Sequence, residues 1–120
     1  MDLYKEEILD HYKHPHNFGD LESKTNKARE TNMACGDMVE FYLEVRDGMV
    51  NKSGFRGLGC ALSTAMASML TDEVMGKSVE EIKSWGEEKV VEMMGEVNPG
   101  RSKCVELPLK ALKKAIENKI

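Results

Sequence analysis

Three thiols and one carboxylate are the residues of this chain whose types and spacing point to shared chemistry. Cys35-Gly36-Asp37 places a thiol and a carboxylate two residues apart around a glycine, whose backbone freedom lets a tight turn aim both at one small object. Cys60 and Cys104 follow 25 and 44 residues further on, with no Cys-x-x-Cys pair to suggest a zinc finger or a thioredoxin-type centre. The plain alternative is three cysteines buried for packing, and local context argues against it. Cys60 sits where Gly57-Leu58-Gly59 leads into a helix, so backbone N–H groups and the helix dipole favour a thiolate. Cys104 follows the loop Asn98-Pro99-Gly100 and is flanked by Arg101 and Lys103, whose charges act in the same direction. All three cysteines fall at junctions between elements, where ligands commonly originate.

Soft sulfur ligands select zinc or an iron–sulfur cluster. Four anionic ligands around a diferric two-iron, two-sulfide core leave a net dianion, which Lys103 and Arg101 would offset. Asp37, a hard oxygen ligand, would hold such a core more loosely than a fourth thiolate. That is a defect in an electron carrier and an advantage in a protein that passes its cluster on.

The elements that must position these residues read as α+β. Residues 2–13 form a helix, with Asp2 as its cap and Tyr4, Ile8, Leu9 and Tyr12 on one face; Pro15 ends it. A short edge strand fits 25–31. From Val39 the period changes to two: Val39, Phe41, Leu43 and Val45 face the core, while Glu40, Tyr42, Glu44 and Arg46 face solvent. Asp47-Gly48 supplies the hairpin turn into a return strand from Met49 to about Arg56. A helix follows over 61–75, with Leu62, Ala65, Met66, Met69 and Leu70 as its apolar stripe and Gly76 as its stop. Ser78 opens a capping box for a short helix to about Trp85, and another runs from Glu87 to Met94. The last helix buries Val105, Leu109, Leu112 and Ile116, with a kink or a late start expected at Pro108. The resulting expectation is a single domain over 1–120, a small antiparallel sheet of about three strands packed on one side by helices.

The 120 residues are 32% charged and 41% hydrophobic with a net charge of −4, ordinary for a globular chain and unfavourable for binding nucleic acid or an anionic membrane. No apolar run is long enough to cross a bilayer, and Met1–Glu7 has acidic residues and no apolar stretch. A cytoplasmic location is expected, and three cysteines without an export signal argue against a disulfide framework. His11, His14 and His16 cluster around the first helix exit, where solvated or capping roles are expected and a second metal site is the alternative.

Taken in order, these motifs resemble the IscU/NifU-type iron–sulfur cluster scaffold family. The matches are His14-Pro15-x-Asn17-Phe18-Gly19, Cys35-Gly36-Asp37, Gly57-x-Gly59-Cys60-x-x-Ser63-x-Ala65-x-Ala67-Ser68, Gly76-Lys77 and Arg101-x-Lys103-Cys104-x-x-Leu107. The resemblance implies an IscU/SufE-like fold. It also implies a [2Fe–2S] cluster on Cys35, Asp37, Cys60 and Cys104, with Cys104 as the first candidate for accepting persulfide and Cys35 as the second. The implied partners are a cysteine desulfurase, an iron donor and apo iron–sulfur proteins, with the loaded form a monomer or a cluster-dependent dimer. Lys103 stands where IscU proteins have histidine, as in the SufU-like branch, but the insertion of that branch is missing. The alternative is therefore a zinc-containing sulfurtransferase. The segment IscU proteins offer to an Hsp70-type chaperone is reduced to Val97-Asn98-Pro99-Gly100-Arg101, so assistance from that chaperone is not implied.

Overall fold

Alternation along β2 (Asp37–Arg46) sets the frame of the molecule, a computed structural model that describes residues 3–34, 36–96 and 102–120, with the side chains of 3–5 and 102 left aside. Asp47 and Gly48 adopt φ of 52° and 74°, the left-handed pair of a tight hairpin turn, and return the chain antiparallel as β3 (Met49–Leu58). β1 (Asn26–Asn32) pairs antiparallel with the other side of β2, giving the order β1-β2-β3. Neither outer edge is left bare. Asn17 and Gly19 exchange backbone hydrogen bonds with Phe55 on β3, and Asn118 accepts from Lys27 on β1. Gly54 allows the first of these approaches, because a Cβ there would meet the Gly19 carbonyl oxygen at 2.6 Å.

Val39, Phe41 and Leu43 are buried on one face of the sheet, as the alternation requires. The other face is not the solvated one expected. Tyr42 and Glu44 are each only 2% exposed. Ser23 and Asn51 donate to the two Glu44 carboxylate oxygens at 2.8 and 3.3 Å, and Arg46 pairs with it at 2.7 Å. Partners drawn from the 20–25 segment and from β3 satisfy a carboxylate that alternation alone would leave in water.

Five helices complete the chain: α1 (Leu3–Lys13), α2 (Ala61–Val74), α3 (Val79–Lys83), α4 (Glu87–Met94) and α5 (Ser102–Glu117). Ser78 caps α3 by accepting the Glu81 N–H at 3.1 Å. α2 is buried continuously from Ala65 to Thr71 rather than along one stripe, because it lies between α1, α5 and β3. Only part of the apolar face expected of α1 turns inward: Ile8 packs against the core. Leu9 and Tyr12 are 49% and 46% exposed, while His11 is buried and its Nδ1 lies 2.7 Å from Ser68 Oγ on α2. A hydrogen-bond partner on the facing helix is what admits the polar ring. α5 does not start late at Pro108, which is buried in its second turn; Val105, Leu109, Ala111 and Leu112 bind the helix to the core on both sides of the proline. Lys89 on α4 reaches Glu73 on α2 at 2.7 Å and stacks over Trp85; burial opposes its charge, but the Glu73 and Glu92 carboxylates raise its pKa above the ordinary lysine value.

Burial, reinforced by the hydrogen bond and charge of Glu40, pushes the Tyr42 phenol up to about 12. The folded chain therefore keeps this proton above the unfolded value of 10, and stability declines as pH rises through that interval. An ultraviolet titration should show a phenol ionising near 12 that is missing in Tyr42→Phe and moves down in Glu40→Gln. Ionisation of Tyr42 at the ordinary tyrosine value would contradict this account.

Candidate functional site: a thiol and carboxylate cluster

Asp37 opens β2 directly after the turn that closes the β1–β2 hairpin. Asn32 organises that turn: its carbonyl accepts the Gly36 N–H at 2.8 Å and its Oδ1 accepts the Ala34 N–H at 3.0 Å. Gly36 sits at φ 76°, a conformation that suits glycine and turns the chain into β2 with Asp37 leading. At the far end of β3, Leu58 and Gly59 carry the chain out of the sheet into Cys60, the N-cap residue of α2. Cys60 has extended backbone angles (φ −71°, ψ 168°), its carbonyl accepts the Thr64 N–H, and its side chain makes no capping bond. Cys104 lies in the first turn of α5, half-buried like Cys60.

These three residues converge. One carboxylate oxygen of Asp37 and the sulfurs of Cys60 and Cys104 all lie within 4.8 Å of one another. Three atoms so placed fit within roughly 2.8 Å of a common centre, close to the ~2.0–2.3 Å of zinc–oxygen and zinc–sulfur bonds. Asp37 is 8% exposed, and its Oδ2 is the buried side-chain oxygen that lacks a hydrogen-bond partner among the described residues. Stranding a buried carboxylate oxygen costs on the order of 1–3 kcal/mol or more, so a cation at this point would relieve an existing deficit.

Cys35 and Arg101 lie outside the described residues, as does Val97–Gly100 of the shortened chaperone segment. Lys103 is exposed on the first turn of α5, beside Cys104. Gly59 had no individual role on sequence grounds. A Cβ on it would lie 3.0 Å from Asp37 Cγ and 3.2 Å from Oδ2, so its missing side chain is the space the carboxylate occupies. The cue was the glycine-rich link itself, but the residue it accommodates is a contact across the fold.

His11 does not take the solvated or capping role expected of it, being buried against Ser68, whereas His16 is exposed as expected; the two nevertheless meet. Their rings lie 4.3 Å apart, and His16 Nδ1 approaches Asp72 Oδ2 at 2.5 Å. Burial and the neighbouring His16 hold the His11 pKa below the ordinary histidine value. Asp72 was not singled out from sequence, since an acidic residue late in a helix has no signature of its own.

A three-stranded antiparallel sheet packed by helices, with two thiols and a carboxylate gathered at one end, makes an α+β protein whose cluster could hold a metal ion. The chain belongs to the family of NifU-like N-terminal domains, whose profile it matches over residues 3–119. It is 35% identical to the iron–sulfur cluster assembly scaffold protein IscU of Thermotoga maritima, over 96% of this chain and 93% of that one. It is 32% identical to the zinc-dependent sulfurtransferase SufU of Bacillus subtilis, over 95% of this chain and 89% of that one. The N-terminal part of a NifU-like protein from Brucella abortus has the same fold, with a TM-score of 0.78 at 22% identity over 96% of this chain and 92% of that one.

Gly59→Ala tests the geometry. Its Cβ must displace the Asp37 carboxylate by a few tenths of an ångström, and misplacing a metal's supporting contacts typically weakens binding by about 10–100-fold. Chelator competition should show a loss of zinc affinity of that order with the circular dichroism spectrum retained. Unchanged affinity would remove Gly59 from the site.

Proposed function

We propose that this protein is a scaffold on which an iron–sulfur cluster is assembled and from which it is passed to apo-proteins. The observation that carries the reading is the convergence of the buried Asp37 carboxylate, whose Oδ2 lacks a hydrogen-bond partner among the described residues, with the Cys60 and Cys104 sulfurs, together with the similarity to scaffold proteins. In this reading Cys35, Asp37, Cys60 and Cys104 hold a [2Fe–2S] core as cargo. A thiolate of the chain attacks the outer sulfur of a desulfurase persulfide, takes that sulfur and releases the desulfurase thiolate. Cys104 is the first candidate for this attack, because it sits in the first turn of α5 next to the cationic Lys103. Asp37 keeps the loaded cluster exchangeable, since a hard oxygen donor competes poorly with an acceptor's thiolates.

Two observations favour a second reading, a zinc-containing sulfurtransferase: Lys103 is no metal ligand, and the chain is similar to a zinc-dependent sulfurtransferase. Its donors would then hold zinc, and a cysteine would leave the ion to take up persulfide sulfur.

Anaerobic reconstitution with ferrous iron, cysteine, a cysteine desulfurase and a dithiol reductant, which supplies the electrons beyond those from iron that turn persulfide sulfur into sulfide, separates the two. The scaffold reading expects a visible chromophore with equal iron and acid-labile sulfide, transferable to an apo-ferredoxin. In Asp37→Ala the cluster should stay longer, with transfer slowed about tenfold, a change of roughly 1.4 kcal/mol in barrier. Faster loss from this variant sinks the proposed role of Asp37. Stoichiometric zinc, desulfurase activation and no chromophore would favour the sulfurtransferase.

A further inference from the structure

The second cluster of ligating side chains lies toward the other end of α2. Cys60 and Asp72 are twelve residues apart on this helix, roughly 18 Å along its axis, too far to share an ion. Ring nitrogens of His11 and His16 and a carboxylate oxygen of Asp72 all fall within 4.8 Å of one another. We propose that His11, His16 and Asp72 form a second metal site, for a divalent first-row ion of the zinc or ferrous kind, that fastens α1 and the loop after it to α2.

Three further features fit this assignment. First, the ligands are held from behind, as metal ligands commonly are. Asn17 donates to Asp72 Oδ1 at 2.9 Å, leaving Oδ2 toward His16. Ser68 Oγ accepts the His16 backbone N–H at 2.7 Å and engages His11 at Nδ1, so Nε2 is the ligand nitrogen His11 offers. Second, two imidazoles and one carboxylate are a donor set suited to zinc or ferrous iron with positions left for water. Third, a cavity of about 220 Å³ adjoins the cluster. His11 and Asp72 line it with Glu7, and with Glu73 and Glu92, whose carboxylates pair with Lys89; Glu7 and Asp72 are the carboxylates left to attract a cation, and the cavity leaves room for its waters.

The existing geometry needs little change. His16 Nδ1 and Asp72 Oδ2 are 2.5 Å apart and would stand about 3.3 Å apart across a tetrahedral ion. Both side chains are less than half exposed but at the surface (43% and 44%), so small rotations accommodate the ion in place of the shared proton.

Anaerobic cobalt titration of the whole chain tests the proposal, because a thiolate-bound ion shows sulfur-to-metal charge-transfer absorption and an imidazole–carboxylate ion does not. The expected result is an uptake without that absorption, additional to any at the cysteines. His16→Ala and Asp72→Asn should each lower its affinity at least tenfold, whereas His14→Ala should leave it in place. The same ion should raise the thermal midpoint of the parent chain and of His14→Ala by more than that of His16→Ala, in which only the cysteine site is left to bind it. No uptake beyond the thiolate-bound ion, or an uptake that survives both substitutions, overturns the proposal. Uptake lost in those variants with no thiolate signal at all would support this site and count against the cysteine site, so the two stand or fall separately.

Discussion

Burial of α2 on nearly every side is the constraint on which the rest of this molecule depends. A helix held by α1, α5 and β3 cannot roll or slide without opening the core, so whatever it carries is fixed in space. Its first residue follows Cys60, and the sheet it packs on carries Asp37 at the start of its central strand. α5, packed on both α2 and the sheet, brings Cys104 to the same end. The cluster is thus where three tightly packed elements begin, and its geometry is inherited from the core.

The same packing explains why polar residues can lie inside. Ser68 and Thr71 on α2 are fully buried, yet each is bonded: Ser68 to His11 and to the His16 N–H, Thr71 to the Ser68 carbonyl and to Asn17. These contacts strap the His16–Asn17 loop across the helix, and the next residues cover the edge of β3. Asn17 itself adopts φ 56°, a left-handed conformation that asparagine tolerates better than most residues. Buried polar atoms are accounted for along this face of α2, which makes the unpartnered Asp37 Oδ2 at its N-terminal end a meaningful exception.

Much of the frame was legible in the chain because it rests on local rules. Alternation from Val39, the Asp47-Gly48 turn, the Ser78 cap and the glycine stops each depend on neighbours in sequence, and the elements lie where those rules put them. The convergence of Asp37, Cys60 and Cys104 was legible for another reason: chemistry-bearing residues at element junctions have few other uses. What local rules could not reach was set by contacts across the fold. Glu44 is buried because Ser23 and Asn51 meet it, and His11 displaces Leu9 and Tyr12 from the inner face of α1 because Ser68 waits on α2. Pro108 remains in a helix because side chains before and after it are anchored in the core, outweighing one lost backbone bond. Gly59 and Asp72 acquire meaning only through partners 22 and 56 residues distant in the chain.

The two ends of α2 therefore present metals with different physics. At its N-terminus the donors are soft and half-buried, joined by a buried carboxylate of which one oxygen lacks a hydrogen bond among the described residues. Such a carboxylate gains by meeting a cation, but it gives a sulfur-loving core weaker bonding than a thiolate would, so occupancy and release are both within reach. Exposed apolar residues stand near this end, Met33 in the turn after β1 at 91% and Leu58 at the end of β3 at 71% exposure, leaving its surroundings open to another protein surface. Near the C-terminus the donors are two imidazoles and an exposed carboxylate, oriented by Ser68 and Asn17 through hydrogen bonds that do not depend on any ion. An ion there would reinforce a strap that already exists. One end of a single rigid helix is thus suited to exchange, and the other to retention.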